Sequence, residues 1–276
     1  MKIGIIGMGF VGKAVHSAIY NAFHQTVCID NEPKKFIGTE YKVHGTDHYE
    51  LLKDCDAVFV CVSSPSLPDG SCDTFNLEEV LYNLYNINYK NVIISKVTAP
   101  PNFYETQGRL NPNLVYIPEF LRESSAEKDF VNPNFIVIGG TIKAYQHEAF
   151  RVMEGIVDVS GISHRLCTMK EASLMKYTIN CFLATKVTFM NQIYQIAKEN
   201  DIDYEEVKRL IKFDHRIGRS HLDVPGPDGQ FGFGGHCFPK DMKALISIQK
   251  DKKHSFLVDV MKHNLWDREK IDAGSI

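Results

Sequence analysis

Short apolar runs alternate with amphipathic stretches through the first part of the chain, and the alternation then stops. Residues 2–7 (KIGIIG), 26–30 (TVCID), 56–62 (DAVFVCV), 91–97 (NVIISKV), 113–118 (NLVYIP) and 134–140 (NFIVIGG) have the length and β-branched content of buried strands. Between them, 11–23 (VGKAVHSAIYNAF), 49–55 (YELLKDC) and 76–87 (NLEEVLYNLYNI) carry helical patterns. Apolar runs that do not alternate, separated by helices, predict a parallel sheet covered on both faces. After about residue 168 the strand signals end. Residues 169–200 contain no helix breaker and predict one helix of about 30 residues, roughly 45 Å long. A short helix follows at 204–213, with Asp201 or Asp203 as its N-cap. A glycine- and proline-rich loop covers 214–240, and further helices are expected near 241–250 and 255–270. The expected fold class is therefore α/β: a doubly wound parallel sheet over 1–168, followed by an all-helical central domain over 169–276.

Composition narrows the class. A formal charge of −3 with scattered basic residues gives no general attraction for nucleic acid or an anionic membrane, so neither is expected as a partner. Seven cysteines make an odd count below the density of a disulfide scaffold, which suits reduced thiols in the cytoplasm. The glycine-containing N-terminus lacks a small-residue cleavage site and reads as strand and turn rather than leader. No apolar stretch approaches the length of a membrane span.

The first candidate site is Gly7-Met8-Gly9-Phe10-Val11-Gly12, a GxGxxG that follows a strand and opens a helix. Gly7 makes the tight turn, Gly9 lets a pyrophosphate approach the backbone, and Gly12 allows helix and strand to pack closely. The N–H groups of Phe10, Val11 and Gly12 then face an anion at the positive end of the helix. Asp30 ends the second strand, 18 residues after Gly12, where it accepts from a ribose diol and repels a 2′-phosphate; NAD is favoured over NADP. Glycine-rich turns also occur for structural reasons alone, but strand, motif, helix, strand and terminal acid stand here in the order of a Rossmann unit. Lys35 is placed either at the adenosine end or as a solvated surface lysine.

The second is GFGGHCFPKD at 232–241. Cys237 has three readings: a packed hydrophobe, a zinc ligand beside His215, His221 and His236, or a nucleophile. Packing explains neither the preceding glycines nor the charged pair after the thiol. Zinc lacks its usual paired ligands, so no metal is expected. A nucleophile needs its thiolate favoured, and Lys240 and Lys176 are candidate cations; Asp241 would then orient a water or take a proton. In an NAD protein such a thiol captures an aldehyde as a thiohemiacetal, which loses hydride to give a thioester. Lys176 and Asn180, at i and i+4 of the long helix, share a face that is either an oxyanion-holding pair or an ordinary polar stripe. Glu119 and Glu123 flank Phe120 and Leu121 just past a strand end, where α/β ligand sites collect; the plainer alternative is acids at a helix start.

These segments resemble the nucleotide-sugar 6-dehydrogenase family. The resemblance rests on GMGFVG and Asp30, PSLPDGSCD (65–73), SKVTAPP (95–101), PEFLRESSAEKDF (118–130), KEASLMKYTIN (170–180), DHRIG (214–218) and GFGGHCFPKD, in family order. It implies a Rossmann domain, a central domain whose long helix (about 169–200) builds a homodimer, and four-electron oxidation of a UDP-hexose C6 alcohol with two NAD. By resemblance Cys237 is the nucleophile of a catalytic loop at 214–240. Lys176, Asn180 and Asp241 surround the reacting oxygen, Thr98 holds a water, Glu119 assists thioester hydrolysis, and Glu123 lies near the nicotinamide. Arg216 contacts the sugar nucleotide, and the substrate set is completed by Phe120, Leu121, Phe233 and Gly234. Two departures stand out. KVTAPP lacks the family's usual serine before the threonine and the proline-valine-glycine after the next residue, although Thr98 itself aligns. The family's third domain, which contributes uridine diphosphate contacts, has no counterpart in these residues, so a truncated member is expected. The rivals are a single-step dehydrogenase of the 6-phosphogluconate or hydroxy-acid type, which needs no Cys237, and a catalytically silent NAD-binding protein.

Overall fold

The computed structural model describes residues 1–122 and 125–273. Packing divides the chain into two units: Met1–Pro65 with Asp73–Lys176, and Ser66–Cys72 with Tyr177–Ile276. The expected boundary at 168 coincides with the start of the long helix, whose first two turns pack with the first unit.

The first unit is one sheet of eight strands: β1 Lys2–Ile6, β2 Gln25–Ile29, β3 Val43–His44, β4 Ala57–Val60, β5 Val92–Ser95, β6 Leu114–Tyr116, β7 Phe135–Gly140 and β8 Ser163–Cys167. Their spatial order is β3-β2-β1-β4-β5-β6-β7-β8. Helices α1 (Phe10–Asn21), α2 (Phe75–Asn86), α3 (Pro101–Leu110), α4 (Ala126–Val131) and α5 (Lys143–Glu154) connect them. The period of two in each strand sorts side chains onto two cores. Ile3, Ile5, Ala57, Phe59, Val92, Ile94 and Val115 meet α1, α4 and α5 on one face. Ile6, Val58, Val60, Ile93, Leu114 and Tyr116 meet α2 and α3 on the other. Both faces are covered, which is why the central strands read as unbroken apolar runs.

Three expectations need correction. The sheet is not wholly parallel, because β6 and β7 pair antiparallel. Residues 49–55 do not form an α-helix; Thr46–Leu52 is 3₁₀ with a kink at His48. Cys237 is not a loop residue, because a helix begins at it.

Before it, α6 runs Met169–Glu199 and α7 Tyr204–Ile211; after it, α8 spans Cys237–Ser247 and α9 Phe256–Ala273. Asp203, not Asp201, caps α7, accepting from the Glu205 N–H at 2.9 Å. The helical unit also takes in residues 66–72. This hairpin is closed by the Leu67 N–H to the Ser71 carbonyl at 2.8 Å, and Cys72 packs with Tyr177 and Ala244.

Tyr104 of α3 fixes the chain leaving β5. Its buried hydroxyl bonds the Ser95 hydroxyl at 2.8 Å and donates to the Val97 carbonyl at 2.5 Å. Tyr104→Phe is expected to lower stability by about 1–2 kcal/mol, since it leaves buried polar atoms short of a partner. The check is urea denaturation, with a lower midpoint and an unchanged m-value.

Candidate active site

The dinucleotide site is built at the crossing of β1 into α1. Gly7 has φ +89° and donates its N–H to the Ile29 carbonyl at 2.8 Å. A Cβ on Gly12 would lie 2.0 Å from the Gly7 carbonyl oxygen, whereas one on Gly9 would meet nothing within 4 Å. The space over Gly9 is therefore open to a ligand. The Lys13 N–H bonds the Gly9 carbonyl at 3.0 Å, which leaves the N–H groups of Phe10, Val11 and Gly12 outside the intrahelical ladder. The first turn of α1 has no acidic side chain to compete with an anion. Asp30 accepts from the Met8 N–H at 2.7 Å and the Glu32 N–H at 2.8 Å, so its carboxylate is held beside the loop. These residues fit a dinucleotide. Lys35 pairs with Glu32 at 2.5 Å, both side chains more than half exposed.

Past the ends of β5 and β6 the same unit gathers a second cluster. The Lys176 ammonium donates to the Glu119 carbonyl and stands 3.7 Å from its carboxylate, with side chains only 4% and 10% exposed. The other Glu119 oxygen accepts from the Leu121 N–H at 2.7 Å. Phe120 places its ring 4.7 Å from the Lys176 ammonium, a cation–π contact. The Ser173 hydroxyl donates to the Ala99 carbonyl at 2.6 Å and ties α6 to the segment carrying Thr98, itself half-buried. Glu123 lies outside the described residues. Arg122 and Asp129 bracket that segment with a forked ion pair at 3.0 and 2.6 Å, which holds the Asp129 carboxyl well below its ordinary range.

In the helical unit, Asp241 is 1% exposed and accepts from the Asn180 amide and the Lys240 ammonium, both at 2.6 Å. Four residues earlier, the half-buried Cys237 is the first residue of α8, an end that favours a thiolate. Gly235, at φ +73°, makes the turn into that helix. The glycine loop is pinned from below: Asn264 accepts from the Phe233 N–H at 2.6 Å and donates to its carbonyl at 3.0 Å. Phe233 is a core residue, 3% exposed, and Gly234 lies against the Arg268 guanidinium. Arg216 is 90% exposed and forked onto Asp214. Lys186 donates to the carbonyls of Ile217, Gly218 and Ser220, fixing the loop that carries Arg216. Among the described residues no cluster of histidine, cysteine and carboxylate is arranged to hold a metal ion.

The sequence reading missed one residue in particular. Lys96 is 6% exposed, and burial pulls its ammonium down to about pKa 8. The available signal was a lysine ending an otherwise apolar strand run. Nearby Cys61 is pushed up to about 12 by burial, away from the thiolate form.

An α/β unit with a turn that fits a dinucleotide and a helical unit with a thiol at a helix start are the parts of a dehydrogenase. Residues 38–157 match the NAD binding domain of the UDP-glucose/GDP-mannose dehydrogenase family, and 170–265 match its central domain. The chain is similar to YtcA of Bacillus subtilis, at 30% identity over 95% of this chain and 67% of that one. It is 31% identical to a UDP-glucose 6-dehydrogenase of Rickettsia bellii over 91% of this chain and 63% of the relative. Superposition on a UDP-glucose dehydrogenase from Pyrobaculum islandicum gives a TM-score of 0.79 at 26% identity, covering 99% of this chain and 68% of the other. The chain belongs to the UDP-glucose/GDP-mannose dehydrogenase family of NAD-dependent nucleotide-sugar dehydrogenases. It spans about two thirds of the length of these relatives.

Two glycine variants separate fold from binding. Gly9→Ala should keep the melting temperature and weaken NAD by at least about tenfold, because its methyl fills only the ligand's space. Gly12→Ala should lose both, because its methyl collides with backbone. Thermal melts with and without NAD distinguish the two.

Proposed function

We propose that this chain carries the chemistry of a four-electron nucleotide-sugar oxidation, converting the C6 alcohol of a UDP-hexose, UDP-glucose first among them, to the carboxylate. One observation carries the reading: Cys237 opens α8 one helical turn before Asp241, whose buried carboxylate is locked by Asn180 and Lys240. NAD, when bound, accepts one hydride in each of two rounds. In the first, the C6 alcohol loses hydride and a proton to become the aldehyde, with Lys176 and Asn180 holding the oxygen. The Cys237 thiolate adds to that carbon, and the oxygen takes a proton to give a thiohemiacetal. Loss of the second hydride and that proton leaves a thioester. Water, assisted by Glu119 and held by Thr98 and Asp241, cleaves the thioester and returns the thiol. Each sugar then yields two NADH. Asp30 binds the adenosine ribose and Arg216 the sugar nucleotide.

The same reading makes the protein a cytoplasmic homodimer. Phe182, Phe189 and Ile196 stand seven residues apart along α6 and are 67%, 57% and 46% exposed. Beside them a groove of about 440 Å³ is lined by Phe189, Ile196, Phe256 and Trp266. An apolar stripe at heptad spacing fits a second copy of the same helix.

With NAD and a panel of UDP- and GDP-sugars, absorbance of NADH is expected to rise by two equivalents per sugar. Cys237→Ala should reduce steady turnover by at least about a thousandfold, as loss of a covalent nucleophile does. Normal turnover in that variant would sink the covalent step, and one equivalent would favour a single-step dehydrogenase. The double variant F182E/F189E should sediment as a monomer; an unchanged dimer would remove α6 from the interface.

A further inference from the structure

Lys96 is a buried cation that no hydrogen bond or ion pair engages among the described residues; the Glu119 carboxylate, already held by Lys176, acts on it only through space. Lys176 is engaged by Glu119, and Lys208 by Glu205 and Asp223. Among the described residues no hydrogen-bond acceptor or carboxylate oxygen reaches the Lys96 ammonium. It stands 5.5 Å from the centre of the Phe130 ring of α4. Its position is firm. Its own N–H donates to the Val60 carbonyl at 2.9 Å, and the Ile117 N–H donates to the preceding residue's carbonyl at 3.0 Å. The side chain therefore leaves the sheet at the carboxyl ends of β4, β5 and β6.

An unpaired ammonium in such a place costs the fold much more than a methionine of similar length would. Two ammonium groups facing one carboxylate leave positive charge in excess here among the described residues, and an oxygen acceptor on a ligand would balance it. The carboxyl end of a parallel sheet is where ligands of such folds lie.

We propose that Lys96 is a ligand-binding residue, its ammonium taking an oxygen acceptor brought either by the dinucleotide or by the oxidisable substrate. It rests on reading this unit as a dinucleotide site. The charged neighbours that bear on Lys96 are Glu119 and the Cys61 thiol, which favour its charged form, and Lys176, which opposes it. Burial dominates and lowers its pKa from 10.5 to about 8. In the ligand-free protein the unfolded chain therefore binds more protons than the folded one between these values. Stability contributed through this group should rise with pH across that window.

The test uses the full chain with Lys96→Met and Lys96→Arg. Ligand-free Lys96→Met is expected to melt at or above the wild-type temperature at neutral pH and to lose the rise in stability between about pH 8 and 10.5. Its Kd for NAD, measured by fluorescence, should weaken at least about tenfold if the acceptor is on the dinucleotide. If the acceptor is on the substrate, NAD affinity stays and kcat/KM for the nucleotide sugar falls by a similar factor. Lys96→Arg, which keeps the charge, should retain part of whichever property Lys96→Met loses. A lower melting temperature in Lys96→Met would make the lysine structural and overturn the proposal. So would NAD affinity and kcat/KM both within about twofold of wild type. A wild-type chain that binds NAD but oxidises no sugar defeats the wider functional reading only; NAD affinity then decides, and an unchanged value overturns this one. A wild-type chain that does not bind NAD overturns both.

Discussion

At Gly7 and Gly12 the turn from β1 into α1 has no room for another carbon atom. With Gly12 pressed against the carbonyl of Gly7, and Gly7 against the Cys61–Val62 backbone, α1 has a fixed starting point over the sheet. That contact aims the three unbonded N–H groups of the first turn at the space over Gly9 and brings the loop to Asp30. The rest of the first unit follows from it. Strands β1 and β4 must lie side by side with fully buried residues, and both faces of the sheet must be covered before the backbone can approach so closely. A methyl group at one position would cost both the packing and the ligand.

Most of this was legible where one physical effect dominated. Burial on both faces writes an unbroken apolar run, so β1, β2, β4, β5, β6 and β7 were readable. So was α6, which lacks any residue that ends a helix. The signal failed where effects competed. Edge strand β8, SHRLC, is largely exposed and carries polar residues, and β3 is two residues long; neither has an apolar run. The antiparallel step at β7 is a matter of connection and leaves no local mark. Residues 66–72 pack with the helical unit through contacts with Tyr177 and Ala244, far away in sequence.

For the site, residue identity was readable and partnership was not. The glycine motif, Asp30, Cys237, Lys176, Asn180 and Asp241 stood out by type and spacing. The Lys240 ammonium proved to be occupied by Asp241, so the positive end of α8 is the nearer influence on Cys237. That end is hidden in the sequence because the glycine- and proline-rich run extends through Pro239, whereas proline is well tolerated in the first turn of a helix. Charge is also distributed differently from the sequence picture. Two buried lysines share one buried glutamate, Glu119, in the dinucleotide unit, and a buried aspartate in the helical unit is shared by an amide and a lysine. Each cluster is costly to bury and each stands at a position expected to handle oxygen, where pre-set charges act strongly on a reacting group.

The outermost strands have a consequence for how copies of this chain meet. A long, flat, apolar border would be a template on which another molecule could extend the sheet without limit. Here one border is two residues long and the other presents His164 and Arg165 to water. Neither the short edge nor the charged edge invites a second sheet to extend this one.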